Sequence, residues 1–560
     1  MSRNRRTDLL IRRGWLFFFP LLALALTFSS GGWSSVSPAS PPIRAEELPA
    51  PLLGDYAGEL REPKPRADGI RHIDTPRTIR KLKELGVNTY FYLIWHASTD
   101  WDDLRREFLP AAREAGIDVW VYLVPPSEAR SQQSEPYGTD FVSWFRAVGR
   151  VSRSFKNLKG IVIDDFNHNF SFFSSGYVKR MRAAGAAMNP RLRFYPQIYY
   201  SAIHPTYLKR YAPHIDGVVM TFRDGKFRNT QRTRHLKTQI NRVSHLLSRM
   251  DLPFILMVHA SKLSATPANP SVQYVKESLG IGMDSLAEGK IQGLVTYVLQ
   301  KEWFPEQKDQ TAQSGYGYGC LFIPPGRTPL SGVNGELKQI IRPDGSGDYR
   351  LTFSHLDVYP HNLGKGQYVK QVQIDGRVVW QEDVTRGRAE RWERKEIDLS
   401  SALKGKKEAV LSLRLLRKRT DSSAWLYTGF DSLSSRGFTL EDPGFETGRG
   451  WTAFTNHPSI IADIIQYDPK RRLRVYLTTM ILNNAFLLFD DARRTGDFPL
   501  ADAATTLLKR VTENLNDAAL QQLNDLDRLL AGSDDHLSES LQTELTERSK
   551  KLARLLRIRL

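Results

Sequence analysis

One cysteine, Cys320, stands in a chain of 560 residues. A lone cysteine excludes an intramolecular disulfide and any multi-cysteine metal site, so the fold must be held by its cores. Cys320 itself reads as a small buried hydrophobe. Neither H-x-H nor H-E-x-x-H occurs, which removes the usual zinc-hydrolase patterns. G-x-S-x-G is absent too, and with it the common serine-hydrolase elbow. No G-x-G-x-x-G turn follows the first strand, so a dinucleotide fold is not indicated, and no cofactor is expected. The net charge of +18 is spread thinly over clusters such as "RNRR" and "PKRRLR". With no zinc-finger, RNP or helix-turn-helix pattern beside it, it does not predict a nucleic-acid partner.

The front of the chain has the layout of an export signal. "RNRR" and "IRR" form a basic n-region, "GWLFFFPLLALALTF" (Gly14 to Phe28) is a short apolar run, and small residues follow. The run is shorter than the roughly 20 apolar residues of a spanning helix. Residues 1–30 are therefore read as a signal peptide or N-terminal anchor, and the body as periplasmic, extracellular or anchored on the outer side of a membrane. "GGWSSVSPASPPIRAEELPAP" (31–51) is rich in Ser, Pro and Gly and reads as a linker.

From 52 onward a strand-then-helix rhythm sets in. "LLGDYAGEL", "NTYFYLIW", "DVWVYLVPP", "GIVIDD", "RFYPQIYY", "DGVVMTF", "PFILMVHA" and "GLVTYVLQ" are eight β-branched and aromatic runs, with amphipathic stretches such as "TPRTIRKLKELG" between them. Strands that are apolar throughout are covered on both faces, as in a parallel sheet. Eight of them in about 250 residues predict a (β/α)8 TIM barrel over 52–310. After it come short alternating strands parted by Gly, Asp and Ser turns, which predict an antiparallel, jelly-roll-like β-sandwich over 311–465. Its pattern resembles the sandwich modules appended to carbohydrate-active enzymes, and it is expected to pack on the barrel. Residues 466–560 carry helical spacing and are expected to form a small bundle lying on the sandwich.

Barrel chemistry collects at the C-terminal ends of the strands. Those ends carry Trp95 and His96; Pro125, Ser127 and Glu128; Asp164, Asp165, Asn167 and His168; Gln197, Tyr199 and Tyr200; Thr221, Arg223 and Asp224; His259, Ser261 and Lys262; and Tyr297, Gln300 and Glu302. Aromatic faces stack on sugar C–H surfaces while amides and carboxylates hold hydroxyls, so this set predicts a glycan cleft. Trp95, His96, Asn167, His168, Tyr199, Arg223, His259, Tyr297 and Glu302 are the candidate substrate contacts, and Asp164 and Asp165 the candidate catalytic pair. A cation held by "DDFNHN" is the competing use of that pair. His259 could equally be a satisfied core residue, and Glu302 is the candidate for a second, more distant carboxylate. Neighbouring side chains alternate between the faces of a strand, so both aspartates can face the mouth only if the strand ends between them.

Paired Asp after a fourth barrel strand resembles family 84 glycoside hydrolases, the retaining β-N-acetylglucosaminidases. "NTYFYLIW...WDDLRREFLPAAREAGIDVWVYLVPPSE" and "YPQIYY" are similar in order to that family's segments. In such enzymes the substrate's acetamide is the nucleophile. The resemblance implies that Asp164 orients the acetamide and that Asp165 is the general acid/base, with a pKa raised by burial beside the first charge. "MVHAS" and "MTFRD" depart from the family's pattern after strands seven and six. The expected function is an exported glycoside hydrolase acting on a polysaccharide or glycoconjugate; a catalytically silent glycan-binding or scaffold protein is the rival.

Overall fold

The computed structural model describes residues 51–558 apart from 130–133, 224–229, 263–265, 303–311, 325–326, 421–423, 515–516 and 533–536. The signal or anchor and nearly all of the linker lie outside the described residues, as does Asp224. No helix among the described residues is long and apolar enough to cross a membrane.

Eight parallel strands close a barrel in chain order: β1 (Leu52–Tyr56), β2 (Thr89–Ile94), β3 (Asp118–Leu123), β4 (Leu158–Ile163), β5 (Arg193–Tyr199), β6 (Val218–Thr221), β7 (Phe254–His259) and β8 (Gly293–Tyr297). Seven fall within the apolar runs named above, and β4 begins at Leu158, just ahead of its run. Each run is continuous because the residues alternate between two cores. Phe91, Trp120, Tyr122, Val162, Tyr195, Val219, Ile255, Met257 and Val295 fill the lumen, while Tyr90, Val121, Ile161, Phe194, Val218, Leu256 and Leu294 pack outward against the helices. Gly160 of β4 is demanded by this packing, since a Cβ there would collide with the Trp120 ring and the Arg193 carbonyl. The helices start where their caps dictate. Asp74, Asp140, Ser174 and Ser271 accept the N–H three residues on, opening Thr75–Glu84, Phe141–Ser154, Ser175–Met188 and Val272–Ala287. The barrel's seam joins β8 to β1 from Leu52↔Gly293 to Tyr56↔Tyr297. Buried Lys301 locks it by pairing with Asp55 and donating to the carbonyls of Ala57 (2.8 Å) and Gly58 (3.0 Å).

Two antiparallel sheets follow, built from β9 (Gly317–Ile323), β10 (Asn334–Pro343), β11 (Arg350–Val358), β12 (Tyr368–Ile374), β13 (Arg377–Asp383), β14 (Glu393–Asp398), β15 (Ala409–Arg417), β16 (Leu426–Arg436), β17 (Phe438–Thr439), β18 (Thr452–Thr455) and β19 (Ile461–Gln466). One sheet runs β13-β12-β15-β10-β17, with β18 also on β10; the other runs β14-β11-β16-β9-β19. Leu337, Leu351, Phe353, Val372, Leu411, Leu413 and Phe430 make the core between them. Cys320 is a buried free thiol on β9. The second sheet meets the barrel: the phenols of Tyr318 (β9) and Tyr467 both donate to the Pro267 carbonyl, at 2.9 and 3.2 Å, in the loop after β7.

The C-terminal helices Arg471–Arg494, Phe498–Glu513, Asp517–Ala531 and Glu539–Leu556 correct one expectation. They lie on the barrel's outer core, not on the sandwich: Val475, Ile481, Phe486, Leu500, Leu507 and Leu552 share one apolar cluster with Leu82, Leu85 and Met283. Asn483 donates to the Leu85 carbonyl at 3.0 Å, and buried Arg471 donates to the carbonyls of Pro270 and Ala260. Amphipathic spacing shows that a helix has a face to bury, but not what covers it.

Candidate functional site

Period-two alternation carries the lumen face of each strand up to the C-terminal mouth. Continued upward, it brings Tyr56, Trp95, Asp164, Tyr199, Arg223, His259 and Tyr297 to the rim from seven different strands. The rings of Tyr56 and Tyr122 lie 4.1 Å apart, those of Tyr56 and Tyr297 5.2 Å, and those of His259 and Tyr297 4.7 Å.

The aspartate pair is accommodated by a break in the backbone. β4 stops at Ile163 and the Asp164 N–H still reaches the Leu123 carbonyl (3.0 Å). Asp165 then turns into the left-handed region at φ +41°. Only a few per cent of residues other than glycine sit there, with Asp among the more tolerant. The turn abolishes alternation at that one position, so both carboxyls face the mouth. Ala57 (φ +53°) and Val298 (φ +52°), just past β1 and β8, are held in the same region, which places backbone strain around one rim.

The two carboxyls live in different fields. Asp164 Oδ1 accepts the Tyr122 phenol (2.9 Å) and the Asp165 N–H (2.9 Å). Burial, then the charges of Asp165 and Glu128, push its pKa well above the usual carboxylate range. Asp165 is also packed in, which alone would raise it. That effect is outweighed by the His168 hydrogen bond (Nδ1···Oδ2, 3.1 Å), the Arg223 and His168 charges and the Tyr199 phenol donating to Oδ1, so its pKa is lowered. This corrects the expectation of a raised Asp165. The Arg223 guanidinium lies over the Tyr199 ring at 3.4 Å, donates to the Tyr199 oxygen and approaches Asp165 Oδ1 to 3.9 Å. Buried Gln197 fixes the turn, accepting the Asp165 N–H (2.8 Å) and donating to Thr221 (2.6 Å).

A third carboxyl shares this field. Glu128, half-buried on the loop after β3, is pushed up to about 7 by burial and the Asp165 charge, against Arg223 and His168. Buried Asn169 fixes that loop: its oxygen accepts the Ser127 N–H and its amide donates to Ser127 Oγ and the Asp165 carbonyl, all at 3.0 Å.

The structure thus brings Asp164, Asp165, His168, Tyr199, Arg223, His259 and Tyr297 together. His259 is wholly buried, both ring nitrogens lack a hydrogen-bond partner, and burial beside Arg223 pushes its pKa down to about 3. Half-buried Trp95 packs on the lumen core, and His96 pairs with Glu59 (2.6 Å). Asn167 is used internally, its side chain accepting the Tyr199 N–H at 3.1 Å. Glu302 is tied to Arg77 at the start of helix Thr75–Glu84 and is not part of the carboxyl cluster. Tyr200 packs on the outer core, its hydroxyl accepting from Arg242 (3.3 Å). The sequence places Glu128 and Gln197 at strand ends of the expected cleft without singling them out as candidate contacts, and gives Asn169 no site role.

Among the described residues, the one three-ligand grouping with metal-like spacing is His355, Glu382 and Glu393, whose ligand atoms lie within 4.8 Å of one another. Lys370 sits among them, its Nζ 2.7 Å from His355 Nδ1 and 2.6 Å from Asp357. An ammonium can only donate, so the His355 proton must be on Nε2, where no lone pair is left for a metal. The lysine itself supplies the positive charge there.

No family model matches the chain, and no curated protein is similar enough to match. The solved structures that resemble it include glycosidases of low identity. A β-glucuronidase 2 of Bacteroides uniformis aligns with a TM-score of 0.38 and 10% identity, over 68% of this chain and 65% of its own. A glucosidase from Croceicoccus marinus gives 0.32 and 10%, over 66% and 96%. An endo-β-N-acetylglucosaminidase from Cordyceps militaris gives 0.28 and 12%, over 44% and 81%. The chain spans about two thirds of the length of that glucuronidase, and likeness at this level carries no argument about the reaction.

Proposed function

We propose that the chain is an exported glycoside hydrolase acting on a glycan, with its active site at the barrel mouth. The observation that carries the reading is the split between carboxyls sharing one aromatic-lined cleft: Asp164 is held toward the protonated form and Asp165 toward the ionised form. Glycosidic cleavage needs both an acid and an ionised carboxylate, because positive charge develops at the anomeric carbon as the leaving oxygen takes up a proton. Asp165 is the ionised group that stabilises this charge, oriented by Tyr199, His168 and Arg223. Asp164, kept neutral, donates a hydrogen bond to the bound sugar. Half-buried Tyr297 and Trp95 offer ring faces for stacking. The finer reading implied by the family 84 resemblance, acetamide assistance with Asp165 as the acid, is not favoured by an Asp165 held ionised. Export rests on the basic n-region and apolar run at the N-terminus.

The test is a panel of 4-nitrophenyl glycosides and soluble polysaccharides offered to the wild type, with Asp165→Asn as the blank. Release of nitrophenol or reducing ends by the wild type, falling at least about 10²-fold in the variant, supports the reading. No release from any member overturns it.

A further inference from the structure

We infer that Phe172 and Tyr137 form an outlying sugar platform on the rim of the mouth, where units of a polymeric glycan beyond the cleaved bond are held. The inference rests on the reading of the mouth as a glycosidase site and adds to it a substrate class, a polymer whose further units lie outside the carboxyl cluster. Both rings stand on loops that carry the site: Tyr137 on the loop after β3, with Ser127 and Glu128, and Phe172 on the loop after β4, with Asp164 and Asp165. Tyr137 is 38% exposed and Phe172 39%. A lone exposed ring is ordinary on a protein surface, but a pair at the edge of a cleft marks a binding surface.

The two rings are firmly seated. Phe172 meets buried Phe141 at 5.9 Å and buried Phe173 at 5.1 Å, and Tyr137 meets buried Trp144 at 5.0 Å. Phe141 and Trp144 lie three residues apart at the start of helix Phe141–Ser154, so one helix end is the base for both exposed rings. The Trp144 indole also secures the Tyr137 loop, donating to the Gly138 carbonyl at 3.1 Å. These ring contacts are all close to perpendicular, at 74°, 82° and 88°, as is that of Phe172 with Tyr177 at 87°. Among the described residues no ring stacks flat on Phe172 or Tyr137, which leaves ring faces to take up the C–H surface of a sugar.

The platform is tied to the aspartate turn by the residue that already fixes that turn. The Asn169 side chain holds Ser127 and the Asp165 carbonyl, while the Asn169 carbonyl accepts the N–H groups of Phe172 (3.0 Å) and Phe173 (2.9 Å). One buried residue therefore spans from the ionised carboxylate to the exposed ring. A sugar stacked on Phe172 lies at a fixed remove from Asp165, which sets the register of the glycan chain in the mouth.

The test measures kcat and KM of the wild type, Phe172→Ala and Tyr137→Ala on a soluble polysaccharide that the wild type cleaves and on the 4-nitrophenyl glycoside of its constituent sugar. On the polysaccharide each variant should raise KM about three- to tenfold, the worth of one aromatic contact, with kcat unchanged because the contact is made equally before and during reaction. Phe172→Trp and Tyr137→Trp should keep the wild-type KM. On the nitrophenyl glycoside, which is one sugar long, the alanine variants should match the wild type, and that match also shows that they fold. An unchanged KM on the polysaccharide would overturn the platform while leaving the glycosidase reading intact. So would equal losses on both substrates by variants that keep the wild-type unfolding temperature, or a wild type that cleaves nitrophenyl glycosides but no polysaccharide. A wild type that cleaves neither overturns both.

Discussion

The Asp164 carboxyl accepts the backbone N–H of its own neighbour Asp165 at 2.9 Å, yet the two side chains are driven to opposite protonation states. An amide closely mimics a neutral carboxylic acid and cannot mimic a carboxylate. Asp164→Asn should therefore keep kcat within about tenfold of the wild type, whereas Asp165→Asn should lose about 10²–10⁴-fold, the range typical of a positioned catalytic carboxyl. Steady-state kinetics on one aryl glycoside separate the two; a larger loss at Asp164 would restore the roles implied by family 84.

Asn169 offers a test of positioning. Asn169→Ala removes three hydrogen bonds and leaves buried polar groups of the two loops unmet, at a cost of about 1–3 kcal/mol each where water cannot replace the partner. Thermal unfolding should fall, and kcat should drop by on the order of 10²-fold from the displaced Asp165 turn, with KM little changed. A variant that loses stability but keeps kcat would show that the tie between the two loops does not position Asp165.

His259 is buried with both nitrogens unpartnered, an expensive arrangement for a purely structural residue. His259→Leu removes two unmet buried polar atoms and should raise the unfolding temperature or leave it unchanged. Differential scanning calorimetry decides this. A clear fall in the unfolding temperature would make His259 an ordinary, well-packed core residue.

Much of this architecture was legible in the chain. All eight barrel strands could be placed because each is buried on both faces and so reads as an unbroken apolar run, as in "TYFYLI" of β2. The aspartate pair was legible because two carboxylates ending such a run have no structural excuse. What was hidden depends on contacts between distant strands. The low pKa of Asp165 comes first from nearby His168, but also from Arg223 and Tyr199, which reach it from other strands. Asn169 looked like one more polar loop residue because its partner Ser127 lies 42 positions back. Glu302 attracted attention at a strand end, but Arg77 claims it across the barrel seam. The bundle's docking face was misplaced because periodicity names no partner.

A pH test of stability is available beside the mouth. Glu59 is packed in, but the hydrogen bond and charge of His96, helped by Arg61, bring its pKa from 4.5 down to about 2. The same hydrogen bond raises His96 above 6.5. A lowered acid stabilises above its unfolded pKa and loses that contribution as pH falls through about 2; a raised histidine stabilises below 6.5 and loses it as pH climbs through its folded pKa. Both contributions coexist only between about pH 4.5 and 6.5. His96→Ala should thus lower the unfolding temperature more at pH 5.5 than at pH 9. An equal loss at the two pH values would mean the pair is not charged.

The most direct test of the divided carboxyls is kcat/KM of the wild type against pH on an activated aryl glycoside whose leaving group still needs protonation, such as a 4-nitrophenyl glycoside. The divided site requires a bell: an acid limb below the ordinary carboxylate range, where Asp165 takes up its proton, and an alkaline limb well above that range, where the raised Asp164 loses its own. Turnover that is flat from pH 5 to 9, or absent at every pH, would contradict it.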